Sequence, residues 1–224
     1  MANIFSSAAR RAKAAIVWRT RRFQPIKTAM IGHAGYVGHK APGNIKAIKR
    51  FGKVFLTSFT RRIIPGKKRS RFVVSIIGTY GESPTALAIT VESTAKKQSD
   101  FVGAFTIGEA SLLFEKNSVV IGELQGGKKS AKHLARFRTI TGTLWADYLF
   151  DAIEEHARKC GFKEVKFSTP ERVRPYRDPS VAKGFPGDMA ERKEQIRMRM
   201  RKLYYGVANA RGYKKIGDFF VKSL

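Results

Sequence analysis

From residue 53 onward the chain alternates apolar and polar positions in short runs. "KVFLTSF" (53–59), "RFVVSIIGTY" (71–80), "TALAITVES" (85–93), "FVGAFTI" (101–107) and "SVVIGELQ" (118–125) are rich in Val, Ile, Phe and Thr. Turn residues such as "PGKK", "GESP" and "EKN" separate them, which predicts an antiparallel meander. The linker "RRIIPGKKRSR" (61–71) reads as a basic, hairpin-like loop. The period then changes. Trp145, Tyr148, Leu149, Ala152, Ile153, His156 and Ala157 recur at three- and four-residue spacing, while Asp147, Asp151, Glu154, Glu155, Arg158 and Lys159 fall between them. That spacing predicts an amphipathic helix over 144–159 with Trp145 and Ile153 facing the sheet. Gly161 stands at the left-handed C-cap position, and "FKEVKFS" (162–168) alternates as a strand, completing a strand, helix, strand crossover. His156 lies at the edge of the apolar stripe, the place of a hydrogen-bonded core-edge histidine.

"TPERVRPYRDPSVAKGFPGD" (169–188) has four prolines and no period, so it is a long loop. Asp188 and Glu191 then form a capping box for a last helix with Ile196, Met200, Leu203 and Val207 as its buried stripe. That helix ends near Gly212, and "YKKIGDFFVKSL" supplies one or two final strands. At the other end, residues 4–22 have helical character, and "PGNIKAIKRFGK" (42–53) can supply one short helix. "GHAGYVGHKAPG" (32–43) is a glycine-rich basic loop, whose His33 and His39 lack the third ligand a metal site needs. Two segments result: a basic N-terminal extension over 1–52 and an α+β domain over 53–224.

Charge changes this picture. The chain has a formal net charge of +27, and residues 1–81 hold 18 Lys and Arg but no acid, the first being Glu82. Such a segment repels itself, and a polyanion relieves the repulsion while releasing counterions. Candidate nucleic-acid contacts in this third are Arg10, Arg11, Lys13, Arg19, Arg21, Arg22, Lys67, Lys68 and Arg69. In the long loop, Arg172, Arg174 and Arg177 flank Tyr176, a combination that suits phosphates and unstacked bases. Lys193, Arg197 and Arg201 make a basic ridge on the last helix, which fits a phosphate track and a solvated face equally.

The single cysteine, Cys160, rules out an internal disulfide and a multi-cysteine zinc site. No apolar run approaches the roughly 18 residues of a membrane span. Expected surroundings are the cytoplasm or a particle interior such as a virion. The Arg-rich, acid-free start "MANIFSSAARRAKAAIVWRTRRF" also has the composition of an organelle-targeting presequence.

The order of elements, with "SVVIGELQ", a basic loop, the crossover helix, "KEVKFS", a further helix and "LYYGVANARGYKKIGDFFVKSL", resembles the GNAT N-acetyltransferase family over residues 70–224. The resemblance implies a GNAT-like mixed, mainly antiparallel sheet flanked by helices. It places the family's coenzyme A pyrophosphate turn at Arg138, Thr141, Gly142 and Thr143, with Arg136 adding charge. There the phosphate would meet helix N-terminal amides. Threonines stand at both of the family's small positions, and their branched side chains obstruct a pyrophosphate more than glycine would. The resemblance makes Glu123 the base and Tyr204 or Tyr205 the acid, although the family's tyrosine position here holds Ala208, one turn later. Two expectations remain: a GNAT-like scaffold that binds DNA or RNA within a large assembly alongside other proteins and needs no cofactor, or an acetyl-CoA-dependent N-acetyltransferase.

Overall fold

The computed structural model describes residues 47–66, 70–78, 85–93, 105–127, 131–173, 176 and 189–224. The candidates Arg10, Arg11, Lys13, Arg19, Arg21, Arg22, Lys67, Lys68, Arg69, Arg174 and Arg177 lie outside them.

The fold is α+β. Among the described residues eight strands form one sheet in the order β1-β2-β3-β4-β5-β6-β8-β7. They are β1 (Arg62–Pro65), β2 (Ser70–Gly78), β3 (Thr85–Ser93), β4 (Phe105–Phe114), β5 (Ser118–Gly126), β6 (Glu164–Ser168), β7 (Lys214–Ile216) and β8 (Phe219–Ser223). Every neighbouring pair is antiparallel except β5 and β6. Among the described residues four α-helices accompany them: α1 (Lys53–Ser58), α2 (Ala131–Thr141), α3 (Trp145–Lys159) and α4 (Met189–Ala210).

Three predicted elements differ. "KVFLTSF" is helix α1, continuing a helical turn at Ile48–Gly52, so one helical stretch runs through position 52. Helix wins because it buries Phe55 and Leu56 together. Phe55 then meets Phe114 at 5.4 Å, His156 at 4.6 Å and Phe162 at 6.2 Å between ring centroids. Thr57 and Ser58 donate their hydroxyls to the carbonyls of Lys53 and Val54, closing the turn. The "RRIIPGKKRSR" linker is not all loop: Arg62–Pro65 pairs with β2, and Pro65 is tolerated because β1 is an edge strand. The basic loop after β5 contains helix α2, which buries Phe137 edge-on against Phe72 of β2 at 5.3 Å. The predicted strand 101–107 begins, among the described residues, at Phe105.

Helix α3 meets its prediction: Leu149, Ala152, Ile153 and Ala157 are buried, and Trp145 packs against the same core. Gly161 has φ 81, which lets the amide of Phe162 reach the Ala157 carbonyl at 3.0 Å. Trp145 needs a bare backbone beneath it, since a Cβ on Gly108 would stand 2.3 Å from its ring. One residue departs from the helical pattern. Glu154, on the polar side by spacing, is buried.

Candidate functional site: a splayed strand pair and its surroundings

β5 and β6 are in register only from Ser118↔Glu164 to Ile121↔Phe167. β5 continues to Gly126, whereas β6, paired with β8 along its whole length, ends at Ser168, and the chain enters a 3-10 turn at Pro170–Arg172. The parallel pair therefore opens beyond Ile121. A bulge sits at the same place: Ala110 pairs with Leu124 but Leu112 with Ile121, so β5 carries one extra residue at Gly122–Glu123. The amide of Glu123 donates to the Ser111 hydroxyl at 2.7 Å, which holds the bulge.

Tyr204 of α4 fills the opening. Its ring stacks on Phe167 with centroids 4.7 Å apart, and its phenol oxygen accepts the Leu124 amide at 3.0 Å. No part of Tyr204 reaches solvent. Burial pushes its pKa up, the Leu124 amide opposes this, and the Glu123 charge adds to it. The structure thus brings Glu123 and Tyr204 to one opening, with the phenol held as a neutral, enclosed group. Tyr205 takes another direction: its oxygen accepts a hydrogen bond from Lys215 at 3.0 Å, and its ring meets Phe220 edge-on at 5.0 Å.

The Arg138–Thr143 turn joins two helices, α2 and α3, and does not lead directly from a strand into a helix. Its groups are bound within it. The Gly142 amide donates to the Arg138 carbonyl at 2.8 Å. The Thr141 hydroxyl donates to Phe137 O at 2.9 Å and accepts the Thr143 amide at 3.3 Å. Leu144, the N-cap of α3, gives no side-chain cap, and Asp147 occupies the first turn. Arg138 is exposed, while Arg136 is half-buried with an Nη2 that lacks a hydrogen-bond partner.

Sequence spacing alone missed two clusters. Arg211 holds the acidic face of α3: it pairs with Asp151, reaches Glu154 at 3.0 Å and Asp147 at 3.9 Å, and covers the Phe150 ring. Glu154 also accepts from Tyr213 at 3.0 Å and Lys222 at 2.7 Å. The second cluster lines a surface cavity of about 540 Å³ between α1 and the end of α3, with Ser58, Arg62, Glu155, His156, Lys159 and Cys160 on its walls. Lys159 first, then Arg62, hold Glu155 down to about 2. The His156 Nε2 lies 2.9 Å from the Phe55 carbonyl, which can only accept, so that nitrogen carries the proton. Cys160 Sγ at 3.6 Å and Ser58 Oγ at 3.2 Å therefore face a donor and not a base, and no nucleophile–base pair forms.

Burial, above all, holds the His156 pKa below its ordinary 6.5, with the nearby Arg62 and Lys159 charges acting the same way and the Phe55 hydrogen bond and Glu155 opposing. The folded state therefore binds this proton less readily than the unfolded chain. The corresponding stability is complete above about 6.5 and is lost as pH falls from there through the lower folded value. Thermal unfolding followed from pH 7.5 to 5 should show a falling midpoint, and His156→Gln should reduce that dependence. An equal fall in the variant would contradict this.

No family model, curated protein or solved structure matches the chain. Among the described residues, no helix is long and apolar enough to cross a membrane.

Proposed function

We propose that this chain is a GNAT-like scaffold that binds nucleic acid through its phosphate backbone, as a component of a larger protein–nucleic-acid assembly. The observation that carries the reading is the charge distribution: +27 overall, with 18 cations and no acid in residues 1–81. A surplus this large is relieved by a polyanion, and Lys and Arg without a base-reading motif contact mainly phosphates. The splayed strands support the scaffold part of the proposal. A slot lying open between β5 and β6 would be the place for an extended ligand, and Tyr204 fills it from within and takes the Leu124 amide. An enclosed phenol with a raised pKa is also a poor proton donor to a leaving thiolate.

Acetyl-CoA-dependent N-acetyl transfer is the second reading, favoured by the bulge that sets Glu123 at the mouth of the same opening. Calorimetric titration with acetyl-CoA separates the two. The scaffold reading expects no micromolar binding, whereas binding lost in Arg138→Ala, with acetyl transfer lost in Glu123→Gln, would establish the enzyme. For the nucleic-acid part, removing residues 1–50 should weaken oligonucleotide binding and flatten its salt dependence. Equal affinity of the truncated and full chains at every salt concentration would remove the N-terminal segment from the interface.

A further inference from the structure

Both carboxylates and aromatic rings hold cations among the described residues. Arg62, Lys159, Lys166, Arg211 and Lys222 each touch at least one carboxylate at 3.4 Å or closer. Of these, Arg62, Arg211 and Lys222 also cover aromatic rings, and at the far end of β6 four more cations gather on rings. Arg197 and Arg201 both cover Tyr176, with guanidinium carbons 5.6 and 5.5 Å from its centroid. Arg172 lies 4.8 Å over Phe219, and Lys215 lies 5.5 Å over Tyr205.

Among the described residues, two carboxylates pair with this patch. Arg172 reaches Asp218 at 3.1 Å in an exposed pair, and Arg201 approaches Glu171 only to 4.0 Å. The Arg197 Nε is buried without a hydrogen-bond partner among the described residues, and the Tyr176 ring lies beneath that guanidinium. A cation on a ring is oriented without being neutralised, and a planar guanidinium keeps its outward N–H edges available for phosphate oxygens.

The positions form a track. Lys193, Arg197, Arg201 and Tyr205 recur at i, i+4 along α4, a row of about 18 Å, and Lys215 joins it through the Tyr205 hydroxyl. Over that length one strand of a duplex carries about five phosphates. Tyr176 itself is buried at 8% exposure and covered by two guanidinium groups, so it is a platform for arginines and not a stacking surface for a base.

Resting on the nucleic-acid reading above, we infer that Arg172, Arg197, Arg201 and Lys215 form a sequence-independent phosphate track for one nucleic-acid strand, preorganised by Tyr176, Phe219 and Tyr205.

The test uses the full chain and labelled 20-nucleotide probes, single-stranded and duplex, with fluorescence anisotropy read across a salt series. Changing Arg172, Arg197, Arg201 and Lys215 together to Gln should reduce the slope of log affinity against log salt by about 3, at roughly 0.7 to 0.9 per lost phosphate contact. A control that changes the exposed Lys116, Lys132, Arg158 and Lys163 to Gln removes the same charge and should change the slope by less than about 1. Tyr176→Leu removes the platform and no charge, so it should weaken binding about three- to tenfold with the slope unchanged. Arg197→Lys should act in the same direction, which keeps the inference testable if the fourfold variant fails to fold by circular dichroism. Equal effects of patch and control overturn the track, as do unchanged affinities in both Tyr176→Leu and Arg197→Lys. Failure of the unaltered chain to bind either probe overturns the nucleic-acid reading itself.

Discussion

Tyr204→Ala should lower the unfolding free energy by about 3–5 kcal/mol, the range for removing a fully packed aromatic side chain. The ring is wholly buried, stacks on Phe167, and its oxygen is the partner of the Leu124 amide. Truncation leaves a cavity between the splayed strands and an unpaired buried amide. Tyr204→Phe separates these terms: the stack stays, the amide loses its acceptor, and the expected cost is about 1–3 kcal/mol. Urea unfolding followed by circular dichroism measures both. A cost below about 1 kcal/mol for the alanine variant would mean that Tyr204 is not the wedge between β5 and β6.

Loss of Arg211 should be nearly as damaging. Its guanidinium spans Asp147, Asp151 and Glu154, three carboxylates on one face of α3, and Glu154 is buried. Removing one side of a buried ion pair costs about 3–5 kcal/mol because the other charge stays behind. Lys222 and Tyr213 still reach Glu154, so the lower end of that range is expected for Arg211→Ala. For a domain of this size the unfolding midpoint should fall by roughly 10 °C. Arg211→Lys should recover less than half of this, since an ammonium cannot fork across several carboxylates. Full recovery by lysine would show that charge alone is needed there.

These two residues also show where sequence reading stops. The helix over 145–159 was legible because local periodicity decides which of its positions face a sheet. Glu154 was not, because its partners Arg211, Tyr213 and Lys222 lie 57, 59 and 68 residues further along the chain. Tyr204 and Tyr205 are adjacent on α4, and only the placement of that helix against Phe167 decides which one enters the opening. "KVFLTSF" suits both periods, and its helical form follows from aromatic contacts with Phe114 and Phe162, which are distant in sequence. Among the basic candidates, the ridge Lys193, Arg197 and Arg201 was visible as spacing. Its aromatic supports at Tyr176 and Tyr205, and the arrival of Lys215 from β7, required the fold. The Arg138–Thr143 turn was legible as a helix start, while the internal bonding of its amides was not.

The central claim is that this chain recognises the phosphate backbone of nucleic acid, and salt-dependent affinity tests it most directly. Anisotropy of a labelled 20-nucleotide probe, titrated with the full chain at a series of salt concentrations from low to physiological, gives a slope that counts displaced counterions. The account predicts tight binding at low salt and a linear log–log plot with a slope steeper than about −4, the sum expected when the four-cation track and the N-terminal segment both engage phosphates. No binding at the lowest salt, or an affinity that does not change with salt, would contradict it.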